Sequence, residues 1–180
     1  MSTLVIPDPS LVVLIGPAGS GKSTLAERLF APDEIVSSDA LRAVVSGDED
    51  DQSVSKVAFR ILHRTVDRRL GEGLLTVVDA TNLAPAARRP LIRRAQSLGF
   101  PAAAIVLDLD AETVLAQNAS RRRIVDPDVV DRHLAAIRTT VDGGLLALEG
   151  FDPIVILRSP IEAAELIVVR GGPGAGALGV

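Results

Sequence analysis

The sequence predicts a single α/β domain built on a parallel sheet, and three features carry that expectation. Short apolar runs alternate with helical stretches along the chain, the order that produces parallel strands joined by crossover helices. The apolar share is 47% while aromatics make up only 2%, with no Trp and no Tyr, so the core must be Val, Leu, Ile and Ala, the residues of a sheet covered on both faces. A glycine-rich turn joins the first strong apolar run directly to a helix, as open parallel sheets require at a ligand-binding strand end.

The elements follow in order. Strands are expected at Leu11 to Ile15, Glu34 to Val36, Leu74 to Val78, Ala102 to Leu107 and Ile154 to Leu157, each short, apolar and followed by polar or turn residues. Helices are expected at Lys22 to Phe30, Ala40 to Val45, Gln52 to Leu70, Pro85 to Leu98, Glu112 to about Arg121, Asp128 to Leu148 and Ile161 to Val168. Pro85 suits a first helical position, and Gly71 and Gly99 suit positions just past helix ends. Residues 1–170 form the domain, whereas 171–180 contain five Gly without periodicity and read as a flexible tail. The acidic stretch Asp48 to Asp51 reads as a solvated loop.

Composition removes several function classes. With no Cys, neither disulfides nor thiolate metal sites are possible. No run approaches the about 20 apolar residues of a membrane helix and no charged leader precedes a long apolar stretch, so a cytoplasmic protein without membrane association is expected. A formal net charge of −4 argues against a broad nonspecific nucleic-acid coat while leaving room for a locally basic groove.

Chemistry concentrates where strands end. Residues 16 to 24 read Gly-Pro-Ala-Gly-Ser-Gly-Lys-Ser-Thr, a complete phosphate-binding loop. Gly16, Ala18, Gly19, Ser20 and Gly21 are small enough for successive backbone N–H groups to face inward, beside the partial positive charge of a helix N-terminus. Lys22 is placed to reach the β- and γ-phosphates of a nucleotide such as ATP, Ser23 to bind the bridging Mg²⁺, and Thr24 completes the nucleotide-binding run. After the second strand, Asp39 is a candidate general base, and equally an N-cap for a helix starting at Ala40. Arg42, one turn on, is either a clamp for an anionic acceptor or a solvent-facing arginine.

After the third strand, Asp79 is a candidate to hold Mg²⁺, steady Lys22 or orient Asp39, with Asn82 beside it as an acceptor contact; a bare Asx turn is the competing reading. Gln52 is either an acceptor-orienting side chain or a first-turn surface residue. Arg121 and Arg123, within Arg121-Arg122-Arg123, read as lid arginines that neutralise charge during phosphoryl transfer, against the alternative of a charged surface turn. Arg88, Arg89, Arg93 and Arg94 read as a solvated helix face that is also able to hold acceptor phosphates, and His63 and His133 as packing or surface residues.

Together the phosphate loop, Val-Ser-Ser-Asp-Ala-Leu-Arg (36–42), Asp-Asp-Gln-Ser-Val (50–54) and Leu-Thr-Val-Val-Asp-Ala-Thr-Asn-Leu (75–83) resemble the polynucleotide 5′-kinase family, especially the kinase domain of bacterial RNA-repair enzymes. The resemblance runs from about Leu11 to Val169. It implies a P-loop kinase fold with a central parallel sheet of about five strands, helices on both faces and a short arginine lid. It also implies transfer of the γ-phosphate of ATP, with Mg²⁺, to 5′-OH ends of RNA or DNA. By that resemblance Asp39 maps to the general base, Arg42 to an acceptor-phosphate contact, Lys22 and Ser23 to phosphate and metal binding, and Arg121 and Arg123 to the lid. Gln117-Asn118 departs from the family's usual Arg-Asn, and Gln supplies neither the charge nor the planar guanidinium. At 180 residues there is no room for the phosphatase and ligase modules of the repair enzymes, so a free-standing kinase or an excised domain is expected. Two other readings share these residues: a P-loop kinase for a small hydroxylated metabolite or antibiotic, and a nucleotide-binding module without turnover.

Overall fold

A computed structural model describes residues 2–48, 51–120 and 124–172. Five strands form the central sheet in the order β3-β4-β2-β5-β6, all parallel. They are β2 (Leu11–Ile15), β3 (Ile35–Ser37), β4 (Thr76–Asp79), β5 (Ala102–Leu107) and β6 (Ile154–Leu157). The central strand β2 pairs with β5 over its full length, from Leu11 opposite Ala102 to Ile15 opposite Val106. Because strand side chains alternate, β2 and β5 feed two separate cores. Val12, Leu14, Ala103, Ile105 and Leu107 enter one face, while Leu11, Val13, Ile15, Ala102, Ala104 and Val106 enter the other. All five β2 residues are fully buried, so truncating Leu14 to Ala removes about 2–5 kcal/mol of stability.

The connecting helices are α1 (Lys22–Leu29), α2 (Ser38–Ser46), α3 (Ser55–Gly71), α4 (Pro85–Ser97), α5 (Ala111–Ala119), α6 (Pro127–Asp142), α7 (Leu145–Glu149) and α8 (Pro160–Glu165). On α3 the buried stripe is Ala58, Leu62, Val66 and Leu70, a spacing of four that keeps one side on the sheet.

Three expectations are corrected. Residues 128–148 are not one helix, because Gly143 and Gly144 end α6 and Gly144, at φ 60°, starts α7. Ile161 to Val168 is not one helix either: α8 stops at Glu165, and the β-branched run that follows forms β7 (Ile167–Gly171). It pairs in parallel with β1 (Thr3–Pro7), a strand absent from the sequence reading, to make a separate two-stranded sheet. Leu4 and Ile6 of β1 point into the first core, and Arg170 of β7 donates twice to Glu34 at 2.8 and 2.7 Å. Gly171, expected as the first residue of the tail, is the last residue of β7, and 173–180 lie outside the described residues.

Candidate active site

The carboxyl ends of β2, β3 and β4 open into one cleft of about 980 Å³. The phosphate loop is held from both sides. Gly16 donates to the carbonyl of Thr81 at 3.1 Å, and a Cβ there would sit 3.0 Å from the Leu107 carbonyl oxygen, a tight approach that favours glycine where β2 ends. Gly19 has φ 85° and leaves only 3.2 Å between an added Cβ and Asn118, which locks the end of α5 against the loop. Asn118 in turn donates to Val125 O at 2.7 Å and accepts from Val125 N at 3.0 Å, tying α5 to the segment before α6.

Lys22 is nearly buried, and its Nζ donates to Pro17 O at 2.7 Å, curled over the loop it would serve. The Ser23 hydroxyl donates to Asp79 Oδ2 at 2.7 Å. Asp79 is 5% exposed, and burial raises its pKa above the usual carboxylate value; the Ser23 hydrogen bond and the Lys22 charge oppose this, while the Asp39 charge adds to it. A hydroxyl beside a carboxylate at a phosphate loop is a hard-oxygen donor set that suits Mg²⁺. Among the described residues no group of three or more His, Asp or Glu side chains is placed to hold a metal ion.

On the other wall, Ser37 caps α2 by accepting from Ala40 N at 3.5 Å, so Asp39 is not the cap; it stands at the second helical position. Released from capping, its carboxylate pairs with Arg42 one turn on and accepts from the Ser38 hydroxyl at 3.1 Å. The Asp39 side chain is 46% exposed to the cleft, whereas that of Arg42 is 10% exposed. Gln52 lies at the cleft edge in a short 3-10 turn (Gln52–Val54), where its Oε1 accepts from Ser55 Oγ at 3.2 Å.

Two expected contacts go elsewhere. Asn82, at φ 49°, is buried and turned inward, donating to Leu14 O at 2.8 Å and Ala80 O at 3.3 Å; it fixes the turn after β4 and does not line the cleft. Arg88 is fully buried, donating to both Glu149 oxygens at 2.7 and 2.6 Å and to the carbonyls of Asn82 and Leu83 at 2.9 and 2.6 Å. Arg89 and Arg93 are exposed, and Arg94 pairs with Asp67 at 3.2 Å. Arg121 and Arg123 lie outside the described residues.

Three more residues line the cleft: Arg28, which the sequence did not single out, and Gln117 and His133, for which it suggested no cleft contact. His133 of α6 accepts weakly from Ala18 N through Nδ1 at 3.4 Å, and burial, then the Lys22 and Arg132 charges, lower its pKa and keep it a neutral acceptor. Helical spacing marked it only as a packing or surface residue, since nothing in sequence links it to Ala18. Gln117 brings Oε1 to 3.9 Å from the place a Gly21 Cβ would occupy, and this buried oxygen has no hydrogen-bond partner among the described residues. Arg28 lines the far end beside Pro160, Ala163 and Ala164, donating to Ala163 O at 2.6 Å and Leu166 O at 3.1 Å.

A five-stranded parallel sheet with this loop after β2 defines a P-loop kinase-type domain. The chain belongs to the AAA domain family, whose profile matches residues 11–143. No curated protein matches the sequence. Among solved structures it is similar to a chain of the Pnkp1/Rnl/Hen1 RNA repair complex, at 18% identity and TM-score 0.65, covering 76% of this chain and 46% of that one. It is also similar to a chain of the PezAT chromosomal toxin-antitoxin system of Streptococcus pneumoniae, at 16% identity and TM-score 0.63, covering 84% and 67%. A gluconokinase from Sinorhizobium meliloti 1021 matches at 17% identity and TM-score 0.50, covering 91% and 83%. The chain thus spans less than half the length of the RNA-repair chain it matches. Among the described residues no helix is long and apolar enough to cross a membrane.

Proposed function

We propose that this domain is an ATP-dependent polynucleotide 5′-hydroxyl kinase. The observation that carries the reading is the Asp39–Arg42 pair, half open to the same cleft as Lys22 and Ser23: a proton acceptor and an anion clamp facing a phosphate loop. A polymer end needs both, because the nearest charged group to its reacting hydroxyl is the phosphate on the far side of the terminal ribose.

In this mechanism the acceptor 5′-OH gives its proton to Asp39 as its oxygen attacks the γ-phosphorus. The bond to the β,γ-bridging oxygen breaks, and ADP leaves. Lys22 swings from Pro17 O to the transferring phosphate, and the inward amides of the loop hold the β-phosphate. Ser23 and Asp79 would hold Mg²⁺, which when bound offsets charge on the β- and γ-oxygens. Arg42 holds the first internucleotide phosphate and, through their ion pair, orients the Asp39 carboxylate. Arg121 and Arg123 are proposed to close over the γ-phosphate, and Gln117 offers a neutral carbonyl where the resembled family carries a cation.

A kinase for a small polyol uses the same base and loop, and the likeness to a gluconokinase supports it as the second reading. The deciding experiment incubates the protein with labelled ATP, Mg²⁺ and, separately, 5′-hydroxyl RNA, 5′-hydroxyl DNA and gluconate. The expected result is label on the oligonucleotide 5′ end, with an acceptor KM that rises steeply with salt. Label on gluconate alone overturns the polymer reading, and no transfer to any acceptor supports a binding module without turnover.

A further inference from the structure

The acceptor side of the cleft contains one residue that proton abstraction and phosphate binding leave without a role. Phe59 stands one turn into α3, near Gln52 and on the helix that packs against α2, which carries Asp39 and Arg42. Phe59 is partly buried, packing against the second core, which includes Leu62, and it also lines the cleft. The chain has only four Phe and no Tyr or Trp. Phe30 and Phe151 are buried in the cores, Phe100 packs on the second core, and none of the three lines the cleft. Phe59 is therefore the one Phe, Tyr or Trp ring that lines the cleft among the described residues.

We propose that Phe59 is the stacking platform for the base of the acceptor's terminal nucleotide. The inference rests on the polynucleotide kinase reading and adds a base-recognition element to it. Arg42 and Asp39 engage the phosphate and hydroxyl that flank the terminal ribose, and the base is the group left to be held. An aromatic face suits that task because every base has a π-face, so affinity is gained without sequence preference. A ring already packed in part against the core loses little freedom on binding.

The test measures 5′ phosphorylation of two oligonucleotides that differ only in their terminal nucleotide, one with its base and one abasic. The wild-type protein is compared with Phe59→Leu, which keeps apolar bulk against α3, and Phe59→Tyr, which keeps the ring. The wild type is expected to show an acceptor KM about tenfold lower for the base-bearing end than for the abasic end, in line with stacking of ~1–3 kcal/mol per base. Phe59→Leu should erase that ratio by raising only the base-bearing KM, with kcat and the ATP KM unchanged, and Phe59→Tyr should retain it. Equal KM values for the two ends in the wild type, or an equal loss on both ends in Phe59→Leu, overturn the stacking role while leaving the kinase reading intact. Failure of every protein to label either oligonucleotide overturns the kinase reading and the stacking role with it.

Discussion

Arg42 and Arg88 are both nearly inaccessible arginines paired with a carboxylate, yet they lie in regions built to opposite ends. Arg88 is sealed behind the turn after β4, where two Glu149 oxygens and two main-chain carbonyls take its donors, and Glu149 is itself only 9% exposed. Arg42 is paired with a carboxylate that is 46% exposed to the cleft. A cation satisfied wholly by buried protein acceptors holds the fold together. One whose partner faces solvent is positioned to meet a ligand, because an incoming anion need not break a buried pair to reach it.

Substitutions at the two regions should separate activity from stability. The largest effect is expected from Asp39→Asn, which removes the proton acceptor while keeping the helix position: kcat for phosphoryl transfer should fall by roughly 10²- to 10⁴-fold, with ATP affinity unchanged by calorimetry. Substantial turnover retained in that variant would remove Asp39 from the mechanism. At the other region, Glu149→Gln leaves the Arg88 guanidinium buried opposite a neutral amide. It should cost about 3–5 kcal/mol in chemical denaturation, with kcat nearly unchanged below the melting transition. A small stability loss together with a large kcat loss would reverse the roles assigned to the two arginines.

The same comparison marks what a sequence can reveal. The central sheet was legible because its strands are short apolar runs ended by polar residues, and the phosphate loop because its parts are contiguous. Asp39 and Arg42 were legible as neighbours because a separation of three puts them on one helix face, though their pairing was not foreseen. Arg88 was not, since a helical arginine looks the same whether it meets water or a glutamate 61 residues away. His133 lies 115 residues from the amide it faces, a separation no local pattern spans. Asn82 belonged to a recognisable motif, but its left-handed backbone turned the side chain inward. Strands β1 and β7 were missed because each needs the other end of the chain to pair with, and Ile161 to Val168 fits a helical period until the β-branched Ile167, Val168 and Val169 are weighed.

Asp79 sharpens the contrast further, being a buried carboxylate at the cleft with a hydroxyl partner where Glu149 has a bidentate guanidinium. Its pKa is raised in the folded protein, chiefly by burial, so between the unfolded value near 3.8 and the higher folded value the native state binds more protons than the unfolded chain. Stability must therefore fall as pH rises through that window, and at neutral pH the ionised side chain is a net cost to the fold. Asp79→Asn removes this cost while its amide oxygen still accepts from Ser23. The variant should melt at a higher temperature than the wild type at pH 7, and the advantage should shrink as the pH is lowered towards 3.8. If Asp79 also helps to hold Mg²⁺ through its oxygens or their waters, kcat should fall by about 10- to 100-fold in the same variant. A gain in melting temperature with a loss of turnover would mark a carboxylate kept for a ligand at the expense of the fold. A loss of both would place Asp79 with Glu149, as a residue that holds the structure together.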